Sequence, residues 1–140
     1  MLMEPLTKSQ RIASRVFRVT AAVILLQTLY FKFTGAPESV YIFTKVGLEP
    51  WGRYGSGVAE LVAAVLLLLP FFPWVGAILA LGIMGGAIMS HLTVLGIVVQ
   101  NDGGLLFGLA ITVTVCCLAT LVLHRRQIPL ISQLFKPKTA

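Results

Sequence analysis

The sequence predicts an all-α integral membrane protein: a single bundle of four transmembrane helices with the N and C termini cytoplasmic. Three observations carry this reading. Of 140 residues, 57% are hydrophobic and only 11% charged, whereas roughly a quarter of a soluble domain is charged. Helices of about 20 residues span a bilayer, and four of them with short connections nearly exhaust the chain, which leaves room for one domain. The basic residues gather beside the ends of those spans. Lys8, Arg11, Arg15, Arg18, Arg125, Arg126, Lys136 and Lys138 fall on one side, against Lys32, Lys45 and Arg53 on the other. The richer side is cytoplasmic by the positive-inside rule. The net charge of +6 therefore reads as membrane orientation. No basic stripe with interleaved aromatics supports nucleic-acid binding.

The first span is expected at 16–33. Its basic flank and apolar run VTAAVILLQTLYF imitate a secretory signal, but FKFTGAPESV lacks a small-x-small cleavage site, so an uncleaved span is expected. Arg18 and Lys32 extend their charged heads to opposite interfaces. The segment GAPESVYIFTKVGLEPWGR is too polar to cross. Residues 40–47 read as an interfacial amphipathic helix, with Trp51 and Tyr54 in an aromatic belt. As the longest connection, this segment is the expected lid or partner surface.

The second span is expected at 54–69. Pro70, Phe71, Phe72 and Pro73 form a tight turn, because a residue before proline leaves helix geometry and proline is welcome in a first helical turn. The third span is expected at 74–99 and the fourth at 104–123. Each carries a small-xxx-small pair, Gly82 with Gly86 and Gly104 with Gly108, whose default meaning is close helix packing. Cys116 and Cys117 are helix neighbours pointing in different directions, which argues for packing and against a disulfide.

The odd letter in VAELVAAVLLLLP is Glu60. An unpaired charge in mid-bilayer costs several kcal/mol, so Glu60 must be protonated, paired or turned to the bundle interior. At about 1.5 Å per residue, Glu60 lies about 9 Å below the outer start of its helix, Gln27 about 9 Å deep in the first, and His91 about 12 Å below the outer end of the third. Lys32 and Asp102 sit nearer the boundary. Arg53, Ser56 and Glu60 share one helical face, and Ser90 and His91 approach it from the third span. The candidate ligand-binding residues are thus Lys32, Glu60, His91, Gln27, Ser56, Ser90 and Asp102. Three readings stay open: a structural pair of Glu60 with His91 or Lys32, a small-molecule or proton-handling pocket in the outer half, and residues facing external water.

No catalytic residue set or metal site is expected. His91 and His124 lie at different depths and cannot flank one haem, Met89 is on a different face from His91, and neither a phosphate-cradling glycine loop nor a nucleophile elbow is present. The chain carries no self-sufficient catalytic motif and no motif for an intrinsic cofactor.

FKFTG at Phe31 to Gly35, VGLEPW, Glu60 within AEL, Pro70 ending the hairpin, and IMGGAIMSHL leading to His91 together resemble the DoxX-like family of small four-span membrane proteins, over about Arg18 to Leu123. The resemblance implies a multi-pass location, expected in the bacterial plasma membrane. It also implies that Lys32, Glu60 and His91 matter. Family roles include membrane subunits of thiosulfate:quinone oxidoreductase, components of other redox complexes, and an assembly chaperone for nicotinic acetylcholine receptors. Fold alone does not choose among them. The leading expectation is an accessory or ligand-binding subunit of a membrane redox system. It would accommodate a quinone, beside a membrane or extracytoplasmic redox protein. The alternatives are a non-catalytic interaction or assembly protein, with a homo-oligomer among its forms, and, third, a small-molecule transporter.

Overall fold

Thr7 opens the first helix with a reciprocal cap. Its hydroxyl accepts from the Gln10 amide at 3.2 Å, and the Gln10 side chain accepts from the Thr7 amide at 3.0 Å, which satisfies two of the N–H groups a helix start leaves open. The computed structural model describes residues 5–134; Lys136 and Lys138 lie outside the described residues. From this cap α1 runs over Lys8–Phe33, two turns earlier than the apolar span alone suggests, because Lys, Gln and Arg are good helix formers.

The next helix, α2 (Pro37–Val46), has proline in its first turn and ends on Gly47 at φ 82°, a left-handed C-cap that only glycine adopts without strain. It covers most of the expected 40–47 segment and begins one turn sooner. The third helix, α3 (Trp51–Leu68), gives way at Leu69, which is extended (φ −74°, ψ 142°) as a residue before proline must be. Pro73 opens α4 (Pro73–Ser90). The chain then runs through a π-helical turn, His91–Leu95. Helix geometry therefore stops well short of Val99, the expected end of the third span. After a loop come α5 (Leu105–Leu123), a 3₁₀ turn (Arg125–Gln127) and the short α6 (Pro129–Leu134). Among the described residues there is no strand.

Three helical segments are long and apolar enough to cross a membrane: Lys8–Phe33, Pro73–Leu95 and Leu105–Leu123. The remaining long helix, α3, opens with the less apolar WGRYGSG. Around the ring, α1 packs on α3 and α5, and α4 packs on the same two. One core joins all four. It holds Ala21, Ala22 and Leu25 from α1, Ala63, Ala64 and Leu67 from α3, Ala77, Ala80 and Met84 from α4, and Ala110, Val113, Cys116 and Cys117 from α5. Small side chains thus sit between the helices. Large ones such as Val23, Val58, Val62, Val65, Ile78, Val115, Leu118 and Val122 point outward. Water would drive those outward side chains in, whereas lipid gives no such drive and lets helices meet on small residues.

The glycine pairs behave differently from expectation. A Cβ at Gly82, Gly86 or Gly108 would meet nothing within 4 Å, because no neighbouring backbone lies against that face. Gly104 sits at φ 86° just before α5, where its role is a left-handed turn. Close approach falls instead to Gly76, whose absent Cβ would lie 2.7 Å from the Leu67 amide nitrogen and 2.8 Å from the Ala63 carbonyl. This contact locks α4 onto α3.

At the end of the ring where α1 starts and α5 stops, Ser14 Oγ lies 2.7 Å from His124 Nε2, and His124 Nδ1 lies 3.2 Å from Gln127 Oε1. A neutral ring that donates from Nδ1 and accepts the Ser14 proton at Nε2 satisfies both contacts. Burial lowers the His124 pKa below the ordinary histidine value, and the nearby Arg18 charge adds to that, against the opposing Gln127 bond.

Candidate functional site

At the opposite end of the ring the core opens. Met84, Ala110 and Val113 close the floor of a cavity of about 560 Å³, and Gly82 and Gly86 line its wall. These two glycines hollow the molecule where larger side chains would fill it. Most of the lining is apolar, including Leu25, Ile83, Leu106 and Leu109. The helix α2 lies against α1, α3 and the π turn and contributes Glu38, Ser39, Ile42, Phe43 and Val46 to the wall.

All seven candidate residues, Gln27, Lys32, Ser56, Glu60, Ser90, His91 and Asp102, line this one cavity. Their bonding separates them into two groups. Glu60 is 2% exposed and pairs with Lys32 at 2.5 Å. Its second oxygen lies 2.9 Å from the Thr28 hydroxyl, whose single proton is also within reach of the Leu25 carbonyl at 2.8 Å. The carboxylate is therefore held by two groups of α1, and not by His91. Thr28 was missed from sequence; its place one turn before Lys32 puts both on one face. The Lys32 ammonium also stands 5.7 Å from the Phe43 ring centroid, within cation–π range.

Arg53 shares a helical face with Ser56 and Glu60, as expected, but does not line the cavity. Its Nε and Nη2 bind the Glu49 carboxylate at 2.7–3.0 Å, and its Nη1 donates to the Lys32 carbonyl. Arg53 thus caps the C-terminal end of α1, where carbonyls lack helical partners. Ser56 and Ser90 bond back to carbonyls of their own helices, Arg53 at 3.2 Å and Gly86 at 2.8 Å. Gln27 lines the cavity from α1.

The second group surrounds the π turn. The helix α4 continues past Ser90 as a π turn but stops at Leu95, so His91 lies about one turn from its end rather than deep within a span reaching Val99. Its Nδ1 lies 2.8 Å from the Gly96 carbonyl, so Nδ1 carries a proton, and Nε2 is the ring nitrogen left to face a ligand. Phe107 meets the imidazole edge to face, with centroids 5.5 Å apart. Asp102 organises the following loop: one carboxylate oxygen accepts the Val99 and Gly104 amides at 3.0 and 2.8 Å, the other the Leu106 amide at 3.1 Å. Burial pushes the Asp102 pKa up, but the three amides, with a smaller contribution from His91, outweigh it and hold the carboxyl below its ordinary value. The left-handed residues Gln100, Asn101, Gly103 and Gly104 make this tight loop feasible.

An all-helical chain with small residues inside, branched ones outside and three apolar segments of spanning length is a multi-pass membrane protein. It belongs to the DoxX-like family, whose model matches residues 16–123. No curated protein and no solved structure matches it.

Proposed function

We propose that this protein binds a small amphipathic molecule in the cavity between α1, α3, α4 and α5, as an accessory component of a membrane redox system, with a quinone as the class of occupant. In this reading α3 crosses with the other three long helices as a four-helix transmembrane bundle. The Arg18 end faces the cytoplasm of a bacterial plasma membrane, and the cavity lies in the outer half.

The supporting observation is the convergence of the seven polar residues on one mainly apolar cavity of about 560 Å³, a volume within the range of small-molecule sites. Leu25, Ile83, Leu106 and Leu109 suit a ring and the start of a tail. Lys32 offers a donor to a carbonyl oxygen. His91, with Nδ1–H committed to Gly96, accepts from a hydroxyl at Nε2 or donates there once protonated. A quinone would supply two-electron, two-proton chemistry when bound; the chain's own part is to orient the head group and exchange protons with it.

The test is native mass spectrometry of gently extracted wild type beside Gly86→Leu, His91→Ala and Glu60→Gln, with added ubiquinone or menaquinone. Retention by wild type with loss in the cavity-filling Gly86→Leu and in His91→Ala supports the reading. Equal retention by all variants, or none by wild type, overturns it. A second reading, a non-catalytic interaction or assembly protein, draws on Gly85 and Gly108. Both are exposed with open space at Cβ, which suits approach by another helix or a second copy. A stoichiometric crosslinked partner together with an empty cavity would favour that reading.

A further inference from the structure

The Arg18 end of the molecule carries a second cavity that the proposed function does not use. It encloses about 430 Å³ and is walled on one side by Arg11, Arg15 and Arg18 and at its base by Ser14, His124 and Gln127. The three arginines fall at intervals of four and three residues, so they stack along one face of α1. They form a ladder about 10 Å tall, on the order of the headgroup layer that flanks each side of the hydrocarbon. The other part of the wall is apolar, with Val19, Leu67 and Leu68 among it.

Charge balance at this end is lopsided. The acidic residues among those described are Glu38, Glu49, Glu60 and Asp102. All four either line the opposite cavity or, for Glu49, hold Arg53 there. The two ion pairs among the described residues, Lys32 with Glu60 and Arg53 with Glu49, are both at that opposite end. Arg18 is fixed by α3, donating from Nε to the Leu67 carbonyl at 2.5 Å and from Nη2 to the Leu69 carbonyl at 2.8 Å. Arg11 and Arg15 are exposed and form no ion pair among the described residues. Like charges stacked one turn apart repel, and an anion between them removes that cost. All three are arginine, whose planar fork matches phosphate oxygens in a way that an ammonium does not.

We infer that this cavity binds the phosphate of an anionic phospholipid, with the arginine ladder on the head group and the apolar wall beside the upper acyl chain. Basic pockets between transmembrane helices suit this chemistry, and the mixed wall separates a lipid from a free anion, which would need no apolar side.

The test uses the full-length chain, delipidated in detergent and offered phosphatidylglycerol, phosphatidylcholine or inorganic phosphate, with adducts read by native mass spectrometry. Wild type is expected to retain phosphatidylglycerol about tenfold or more over phosphatidylcholine, and to gain no thermal protection from inorganic phosphate. The double variant Arg11→Gln/Arg15→Gln removes no side-chain bond among the described residues and should fold, yet lose about tenfold of that retention. Arg125→Gln/Arg126→Gln removes the same charge from the same end outside the cavity wall, and should keep most of the retention. Equal loss in the two double variants would reduce the effect to diffuse charge and overturn the site. Equal retention of the two lipids would overturn it as well. Protection by inorganic phosphate as strong as that by the lipid would overturn the assignment to a lipid.

Discussion

Arg18 in α1 and Arg53 in α3 are reciprocal clamps: Arg18 donates to the Leu67 carbonyl of α3, and Arg53 donates to the Lys32 carbonyl of α1. The interval from Arg18 to Lys32 equals that from Arg53 to Leu67, about 21 Å along each axis. The two helices are antiparallel, and each lends a cation to the other's C-terminal carbonyls, where the helix dipole favours it.

Lysine should not replace either clamp, because a single ammonium does not bracket two acceptors as a guanidinium does. Arg18→Lys is expected to lose about 2 kcal/mol through its two charge-assisted bonds, measured by chemical unfolding in micelles. Arg53→Lys should lower the melting temperature, and a wild-type melting curve for either variant would refute the clamp.

The Lys32–Glu60 pair should display strong coupling. Removing one partner leaves the other charge buried, so Glu60→Gln and Lys32→Met should each cost about 3 kcal/mol, while the double variant costs less than the sum. Additive losses in the same unfolding assay would show that the two side chains act independently.

Glycine substitutions should divide by position. Gly76→Ala pushes a methyl against the α3 backbone and should destabilise by about 1–3 kcal/mol. Gly86→Leu meets open cavity and should hold or raise stability, by up to about 1 kcal/mol, since glycine is a poor helix former. Thermal melts of the two variants decide the matter, and a destabilised Gly86→Leu would mean that the cavity is smaller than described.

Acid should loosen the Ser14–His124 junction. Folding lowers the His124 pKa, so below the unfolded value of about 6.5 the unfolded chain binds the extra proton. The stability linked to His124 is complete above that pH and declines as pH falls toward the folded value. The melting temperature at pH 5.5 relative to pH 7.5 should drop more in wild type than in His124→Gln; identical drops would remove His124 as the cause.

The class of the molecule was legible because composition reports its solvent directly, and the seven cavity residues because polar letters are rare in such a chain. The partner of Glu60 was not. Lys32 and His91 both stood open as partners, one nearer the boundary and one deeper, and the choice turns on helix rotation and on how far a long side chain reaches down, which no local signal marks. Small-xxx-small spacing shows where a backbone can approach, but not whether one does; Gly82 and Gly86 have that spacing and line a hollow. Gly76, a lone glycine three residues past a proline, gave no pattern to notice.

The segregation of charge makes the protein an electric dipole lying along its helices. Six bases without a described carboxylate crowd the Arg18 end, and three bases meet four carboxylates at the other. Each elementary charge moved across a membrane changes the energy by about 2.3 kcal/mol per 100 mV. With the Arg18 end inside, as proposed, a negative interior resists inversion of the chain through the voltage itself, and that resistance vanishes when the membrane is depolarised.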